Sequence, residues 1–277
     1  MRISKFSYSG EGISVHHTLS EQPMAEQYNI HTHETVEIYF FLSGTCKYLI
    51  EGNEYELAPG DLIVMRPSES HTLCVLDNTP YERIVVNIDP RIFEKIDPTG
   101  VLYKPFGERK LGRINQYRAE HFTGDLYEVC MRGLAEESAI GATLEIKSKV
   151  FLLLCEIAKA YAARIADGKE EDRRKNRTVA HMISYINRNL SESLTLEALS
   201  RQFFLSKSQI SRLFREATGT TVWDYITAKR LLSARARIRA GENAGRVAAE
   251  VGFHEYSTFY RMYKARFGVS PKGDLLS

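Results

Sequence analysis

A chain of 277 residues is long for one domain and comfortable for two. Its 43% apolar and 26% charged residues supply ample core material and exclude a disordered or low-complexity protein. The net charge of +2 is unevenly spread: residues 178–277 hold 15 Lys and Arg against 8 Asp and Glu, whereas the rest holds 22 against 27.

The first ten residues contain no apolar signal core, and the longest apolar run, Val150 to Cys155, is too short to span a bilayer. A soluble, cytoplasmic protein with no membrane partner is expected. Cys46, Cys74, Cys130 and Cys155 form no Cys-x-x-Cys pair, which argues against a zinc knuckle or a disulfide framework. His16 and His17 lie in a segment without clear period and read as surface or packing residues.

From Val36 to Ile88, short β-type runs alternate with turn residues. The runs are Ile38–Leu42, Cys46–Ile50, Tyr55–Leu57, Leu62–Arg66, Thr72–Val75 and Tyr81–Ile88. Ser43-Gly44, Glu51-Gly52-Asn53, Ala58-Pro59-Gly60-Asp61 and Pro67-Ser68 divide them. Many short strands at this spacing predict an antiparallel sandwich or barrel.

Inside this region stand His31-x-His33-x-x-x-Glu37, six residues and Gly44, then Pro59-Gly60-Asp61 and His71. The pattern resembles the first motif of the cupin double-stranded β-barrel, with a second motif whose spacing departs from the enzymes. In cupin enzymes the corresponding histidines and glutamate hold one divalent metal. Three imidazoles and a carboxylate suit zinc, iron, manganese or nickel. His31 and His33 are two apart on a strand and share a face, with Glu37 a further even step away. Three readings of His31, His33, Glu37 and His71 stand open: a metal site, contacts to a small effector without metal, or polar groups bonded to one another. Strand parity adds Tyr39, Tyr48 and Arg83 as wall residues. A small barrel encloses one ligand at most, and the tyrosines suit a sugar.

Lys104 to Gly124 is irregular and polar. Asp125–Ser138 and Thr143–Ala166 then read as helices, split by Ala139-Ile140-Gly141. In the second, Ile146, Val150, Leu153, Leu154, Ile157, Ala158 and Tyr161 recur at three and four residues. That face either closes over the barrel or meets its copy in a two-fold dimer. Asp167 to Asn176 is a charged, non-periodic linker.

The rest of the chain says one thing twice. With a shift of 49 residues, Ile210, Arg212, Leu213, Phe214 and Gly219 fall on Phe259, Arg261, Met262, Tyr263 and Gly268. Each copy predicts a helix, with Ser206 or Glu255 at its start and Gly219 or Gly268 just past its end. Ile210, Leu213, Phe214 and Ala217 make one apolar face, and Phe259, Met262, Tyr263 and Phe267 the other. Opposite them lie Lys207, Ser208, Ser211, Arg212 and Arg215, then Tyr256, Ser257, Tyr260, Arg261 and Lys264. Short helices at Leu196–Ser200 and Val247–Gly252 precede the copies, so the pattern is two helix-turn-helix units. Between them, a helix from Val222 to Ala240 carries Trp223, Ile226, Leu231, Ala234 and Ile238 as a stripe. At about 1.5 Å per residue it is nearly 30 Å long, and successive major grooves on one DNA face lie about 34 Å apart.

The last hundred residues resemble the AraC/XylS family of bacterial transcription regulators. The hallmark run stands here as Val251-Gly-Phe-His-Glu-Tyr-Ser-Thr-Phe-Tyr-Arg261, followed by Arg266-Phe-Gly-Val-Ser-Pro271. One departure is Pro271-Lys-Gly-Asp274, where the family has Pro-x-x-Tyr-Arg, so a less well packed last turn is expected. The resemblance implies base contacts from Ser208, Ser211, Arg212, Tyr256, Ser257 and Arg261. It also implies a small-molecule effector in a barrel that often binds no metal, a homodimer, and RNA polymerase as partner if the protein activates. Lys207, Arg215 and Lys264 read as phosphate contacts.

The expected fold is α+β multidomain: a cupin-like antiparallel β-barrel (1–105), a helical dimerisation region (106–166), a linker (167–177) and an all-α DNA-binding domain with two helix-turn-helix units (178–277). The expected function is a sequence-specific transcription regulator of double-stranded promoter DNA, answering to a sugar or related metabolite. No catalytic residue and no cofactor is assigned, a divalent metal on the histidine–glutamate quartet apart. The alternatives are a metal-dependent cupin enzyme fused to a DNA-binding tail, and a constitutive architectural protein.

Overall fold

The structure, a computed structural model, describes residues 2–24, 28, 31–122, 130, 142–167, 177–218 and 220–275. The expected helix Asp125–Ser138, apart from Cys130, lies outside the described residues, as do Gly219 and nearly all of the linker. The chain folds as two compact units that divide near Arg174, with His31 and His33 grouped with the second.

The first unit is built on two antiparallel sheets. Its strands are β1 (Arg2–Gly10), β2 (Ile13–Ser20), β3 (Val36–Ser43), β4 (Cys46–Ile50), β5 (Asn53–Glu56), β6 (Leu62–Met65), β7 (His71–Val75), β8 (Tyr81–Ile88) and β9 (Gln116–Tyr117). One sheet has the order β1-β2-β8-β3-β6-β9 and the other β5-β4-β7. Side chains alternate across a strand, so the large sheet serves two cores. Ile38, Phe40, Leu62, Val64, Ile84 and Val86 form one face, and Tyr39, Phe41, Ile63, Met65 and Tyr81 the other. The second face packs on Tyr48, Ile50 and Leu73 of the small sheet. Coverage on both sides explains why Ile38-Tyr39-Phe40-Phe41 is a continuous apolar run rather than an alternating one.

Two strands were not legible as such. β1 and β2 join through Glu11 and Gly12, whose φ values of 48° and 79° make the positive-φ pair of a tight hairpin turn. Most of β1 is exposed, which removes the period, whereas Ile13 and Val15 of β2 are buried. His17 is buried with Nε2 2.7 Å from a Glu82 carboxylate oxygen, a packing role.

Helix α1 (Arg91–Ile96) and helix α2 (Lys104–Gly107) lead to helix α3 (Ala142–Ala166). Ile146, Val150, Leu153, Leu154, Ile157 and Tyr161 of α3 lie in the core that contains the outer face of the large sheet. Of the two uses expected for this apolar face, closing over the sheet is the one observed. Leu144 and Leu152 remain exposed on the same helix.

A buried ion pair ties the loop after β6 to the stretch before β9. Glu69 and Arg109 both have fully buried side chains. Arg109 Nη1 donates to Glu69 at 2.7 Å, as does the Gly112 amide, while the Asn115 amide and the Arg66 N–H donate at 3.1 Å. Arg109 Nε also donates to the Pro105 carbonyl at 2.8 Å. Burial alone would raise the Glu69 carboxyl pKa, but the charge and hydrogen bonds of Arg109 and the two backbone donors outweigh it and hold it at about 2. Gly112 has a φ of +67°, and a Cβ there would stand 2.8 Å from the Ile50 carbonyl, so only glycine fits.

The second unit is helical: α4 (Arg177–Arg188), α5 (Leu196–Phe203), α6 (Lys207–Thr218), α7 (Val222–Arg239), α8 (Ala244–Glu250), α9 (Tyr256–Phe267) and α10 (Pro271–Asp274). It has two cores. Ile183, Leu199, Ile210, Phe214, Tyr225 and Ile226 fill the first, and Leu231, Ile238, Val247, Phe259 and Tyr263 the second. Helix α7 therefore feeds both. Trp223 does not join the buried stripe expected for it and is 54% exposed, because the first core takes Val222, Tyr225 and Ile226 instead.

The last turn is also better tied than its departure from the family pattern suggests. Asp274 is buried and accepts from Arg239 Nε at 2.9 Å, from the Tyr263 hydroxyl at 2.7 Å and from Arg235. Burial raises its carboxyl pKa, while these donors pull it down to about 2. The aspartate thus clamps α7 and α9 where the family has another residue.

Both carboxylates have folded pKa values below an unfolded value of roughly 4. Their stabilisation is complete above that value and is lost as the pH falls from about 4 to about 2. Glu69→Gln leaves the Arg109 charge buried without a counter-ion and is expected to cost about 3–5 kcal/mol, read by urea melts at pH 7. Asp274→Asn should cost less, because Arg239 is 43% exposed and can reach water. An acid titration of melting temperature should show Glu69→Gln losing less than the parent protein below pH 4; an equal loss would place the titration elsewhere.

Candidate nucleic-acid interface and effector site

Parity along β3, β4 and β8 brings the expected wall residues together between the two sheets. The rings of Tyr39 and Tyr48 lie 4.8 Å apart, and Tyr48 stacks on His71 at 5.9 Å. Phe41 pairs with Arg83 across the β3–β8 ladder, which sets Arg83 beside this group. The Arg83 guanidinium stands 4.6 Å from the Tyr81 ring and 5.8 Å from the Tyr28 ring. The Tyr39 and Tyr81 hydroxyls bond to each other. Burial pushes the Tyr39 and Tyr48 phenols well up, so both are neutral hydrogen-bonding groups.

His71 is fully buried, with Nδ1 2.8 Å from the Glu69 carbonyl. A carbonyl only accepts, so Nδ1 carries the proton and Nε2 is left as the lone-pair nitrogen. Of the expected quartet, Glu37 and His71 are both buried in the first unit, whereas His31 and His33 group with the second, so the four are not one site of a single unit. His31 is exposed. Tyr81 and Tyr28 escaped sequence reasoning. Tyr81 shares strand parity with Arg83 and was available by that argument; Tyr28 lies outside any strand, and no periodic signal marks it.

In the second unit, local chemistry builds each turn. The Thr195 hydroxyl caps α5 by accepting from the Ala198 N–H at 3.1 Å. Phe204 then takes a left-handed φ of 54° and stands 94% exposed. Ser206 and Gln209 form a reciprocal cap at the start of α6: the Ser206 N–H donates to Gln209 at 2.9 Å and the Gln209 N–H to the Ser206 hydroxyl at 3.3 Å. Glu255 stands at the N-cap of α9 but its side chain makes no capping bond, unlike the expected role. Gly268 ends α9 at a left-handed φ of 75°, as expected.

Helices α6 and α9 bury Ile210, Phe214, Phe259 and Tyr263 and turn the opposite faces outward. Lys207, Ser208, Ser211, Arg212 and Arg215 are all exposed on α6, and Tyr256, Ser257, Tyr260, Arg261 and Lys264 on α9. Lys207 pairs with Glu197, and Arg212 with Glu216 at 3.2 Å. Among the described residues, the side chains of Arg215, Arg261 and Lys264 have no hydrogen-bond or ion-pair partner. A groove of about 650 Å³ runs beside α6, walled by Leu194, Ser211, Arg212, Arg215, Trp223 and Ile226. No helix of the described residues is long and apolar enough to cross a membrane.

Comparison with known proteins adds the following. The AraC-like ligand binding domain family matches residues 17–154, and the helix-turn-helix domain family matches residues 199–274. The XylDLEGF operon transcriptional activator 1 of Pseudomonas putida is 24% identical over 243 residues, which span 86% of this chain and 74% of that protein. The HTH-type transcriptional activator RhaS of Escherichia fergusonii is 23% identical over 245 residues, spanning 87% of this chain and 85% of its own. Among solved structures, ToxT from Vibrio cholerae covers 96% of this chain and 98% of its own, at 12% identity and a TM-score of 0.41.

Proposed function

Because the chain belongs to the AraC/XylS family of DNA-binding transcription regulators, we propose that it is an activator that reads promoter DNA with α6 and α9 and answers to a small molecule held between the two sheets of its first unit. It is a regulator and not an enzyme, so the cupin-enzyme alternative lapses. The observation that carries the DNA reading is the repeat itself: two helices, each packed by an apolar face, each presenting cations to solvent. Anionic phosphates supply the partner such faces need.

Arg212 and Arg261 are assigned to base edges, where a guanidinium can fork onto guanine O6 and N7. Ser208, Ser211, Tyr256, Ser257 and Tyr260 complete the base-reading faces. Lys207, Arg215 and Lys264 are assigned to phosphates. Short Ser208 and Ser211 reach less far than longer amides, so the second unit discriminates sequence at least as strongly as the first. Tyr39, Tyr48, His71, Arg83 and Glu37 are assigned to a polar effector of sugar size, with Tyr28 and Tyr81 added by their rings. Glu37 and His71 offer a carboxylate and an imidazole, donors that suit zinc or iron, and a metal on them would orient the effector. Dimers form through surfaces other than the buried face of α3, with Leu144 and Leu152 outermost, and RNA polymerase is the partner at the promoter.

Selected-site binding against randomised DNA tests the assignment. Arg261→Ala should weaken the selected site by about 1–3 kcal/mol and relax preference at one base position. Lys264→Ala should weaken all sequences alike and lower the salt slope by about one. If Arg261→Ala leaves preference intact while Arg212→Ala abolishes it, the ranking of the two units is wrong. Melting of the full chain against sugars and small acids, with and without chelator, tests the sensor: a bound ligand raises the melting temperature by mass action. A melting temperature that falls with chelator alone would identify a metal at Glu37 and His71.

A further inference from the structure

Among the described residues, the first unit buries two lysines or arginines, Arg83 and Arg109, and they are in opposite circumstances. Arg109 has the Glu69 carboxylate and the carbonyls of Pro105, Arg113 and Val64 around its guanidinium. Arg83 is 7% exposed, and its Nη1 is buried without a hydrogen-bond partner. No carboxylate or carbonyl of the described residues accepts from it. Its neighbours are the faces of Tyr81 and Tyr28, with the neutral phenols of Tyr39 and Tyr48 beyond. Ring faces attract a cation, but they leave the in-plane N–H donors of the guanidinium unfilled.

A guanidinium stays charged at any accessible pH, and a buried charge is costly unless it is paired and hydrogen-bonded. The pairing that Arg109 has and Arg83 lacks is a planar carboxylate. We infer that the effector carries a carboxylate, which Arg83 takes as its missing counter-ion while the organic remainder lies against Tyr28, Tyr39, Tyr48 and Tyr81. This rests on the reading of the inner face as the effector site, and it narrows that reading: a neutral sugar would leave the charge where it is. A monoanion fits better than a phosphate. Arg83 is the one buried lysine or arginine of this face among the described residues, and Glu37, buried on the same strand face as Tyr39, opposes a second negative charge. Bidentate Arg–carboxylate geometry supplies the specificity. Sugar acids and aromatic acids share this chemistry.

The test uses the full chain, melted at constant ionic strength in chloride with benzoate, glucuronate, benzyl alcohol, glucose or inorganic phosphate. At least one of the two acids should raise the melting temperature, and its uncharged counterpart should not. Arg83→Gln should weaken that acid's binding at least about 30-fold, the loss expected when one partner of a buried charge pair is removed. Arg83→Met without ligand should melt no lower than the parent protein, since it removes an uncompensated charge. A shift from glucuronate alone assigns a sugar acid, and a shift from benzoate alone an aromatic one. A shift from glucose, benzyl alcohol or phosphate without either acid overturns the carboxylate and leaves the effector site standing. An acid effect undiminished by Arg83→Gln, or Arg83→Met melting well below the parent, overturns the role of Arg83. No shift from any probe overturns the carboxylate and the effector reading together.

Discussion

Glu69 can remain a carboxylate with no contact to water only because Arg109 faces it and three further donors surround it. That arrangement fixes much of the first unit. It anchors the loop between β6 and β7, which presents His71, and it pins the stretch from Arg109 to Asn115 that delivers β9 to the edge of the large sheet. An edge strand left bare would offer unpaired backbone groups to other chains. The carbonyl of the same Glu69 also sets the tautomer of His71. One buried ion pair thus shapes the sheet edge, the loop and the chemistry of the nearest imidazole.

The two units solve the problem of buried charge differently. In the second, Asp274 draws Arg235, Arg239 and Tyr263 onto itself and closes the last turn against α7 and α9. In the first, Arg109 is satisfied and Arg83 is not. An interior tolerates such an imbalance only where something from outside completes it or where the lost stability is offset by the rest of the fold. Two arginines of similar burial, distinguished by their surroundings alone, thereby separate a structural position from the one we propose for recognition.

Pattern made the second unit legible almost residue by residue: Arg212 recurs as Arg261 at a fixed shift of 49, and the cap at Ser206 and the left-handed Gly268 each adjoin a helix whose period is read over neighbouring residues. The same is true of the face shared by Tyr39, Tyr48 and Arg83, because parity on a strand is a local rule. What stayed hidden depends on distance along the chain. Glu69 and Arg109 are 40 residues apart, and Asp274 meets Arg235 across 39. No pattern within a window of a helix or strand records those pairings. β1 was hidden for another reason: a strand with most of its residues in water carries little alternation to read.

Helix α7 supplies Tyr225 and Ile226 to one core of the second unit and Leu231, Ala234 and Ile238 to the other. Duplicated modules are commonly free to drift apart, each carrying its own interior. Here the repeat in sequence does not produce two separable inheritances, because a single rod is a wall of both. Excising either half would strip the survivor of part of its own interior. The pair is therefore subject to selection as one object, and its two copies can diverge in what they present to solvent far more readily than in how they are held.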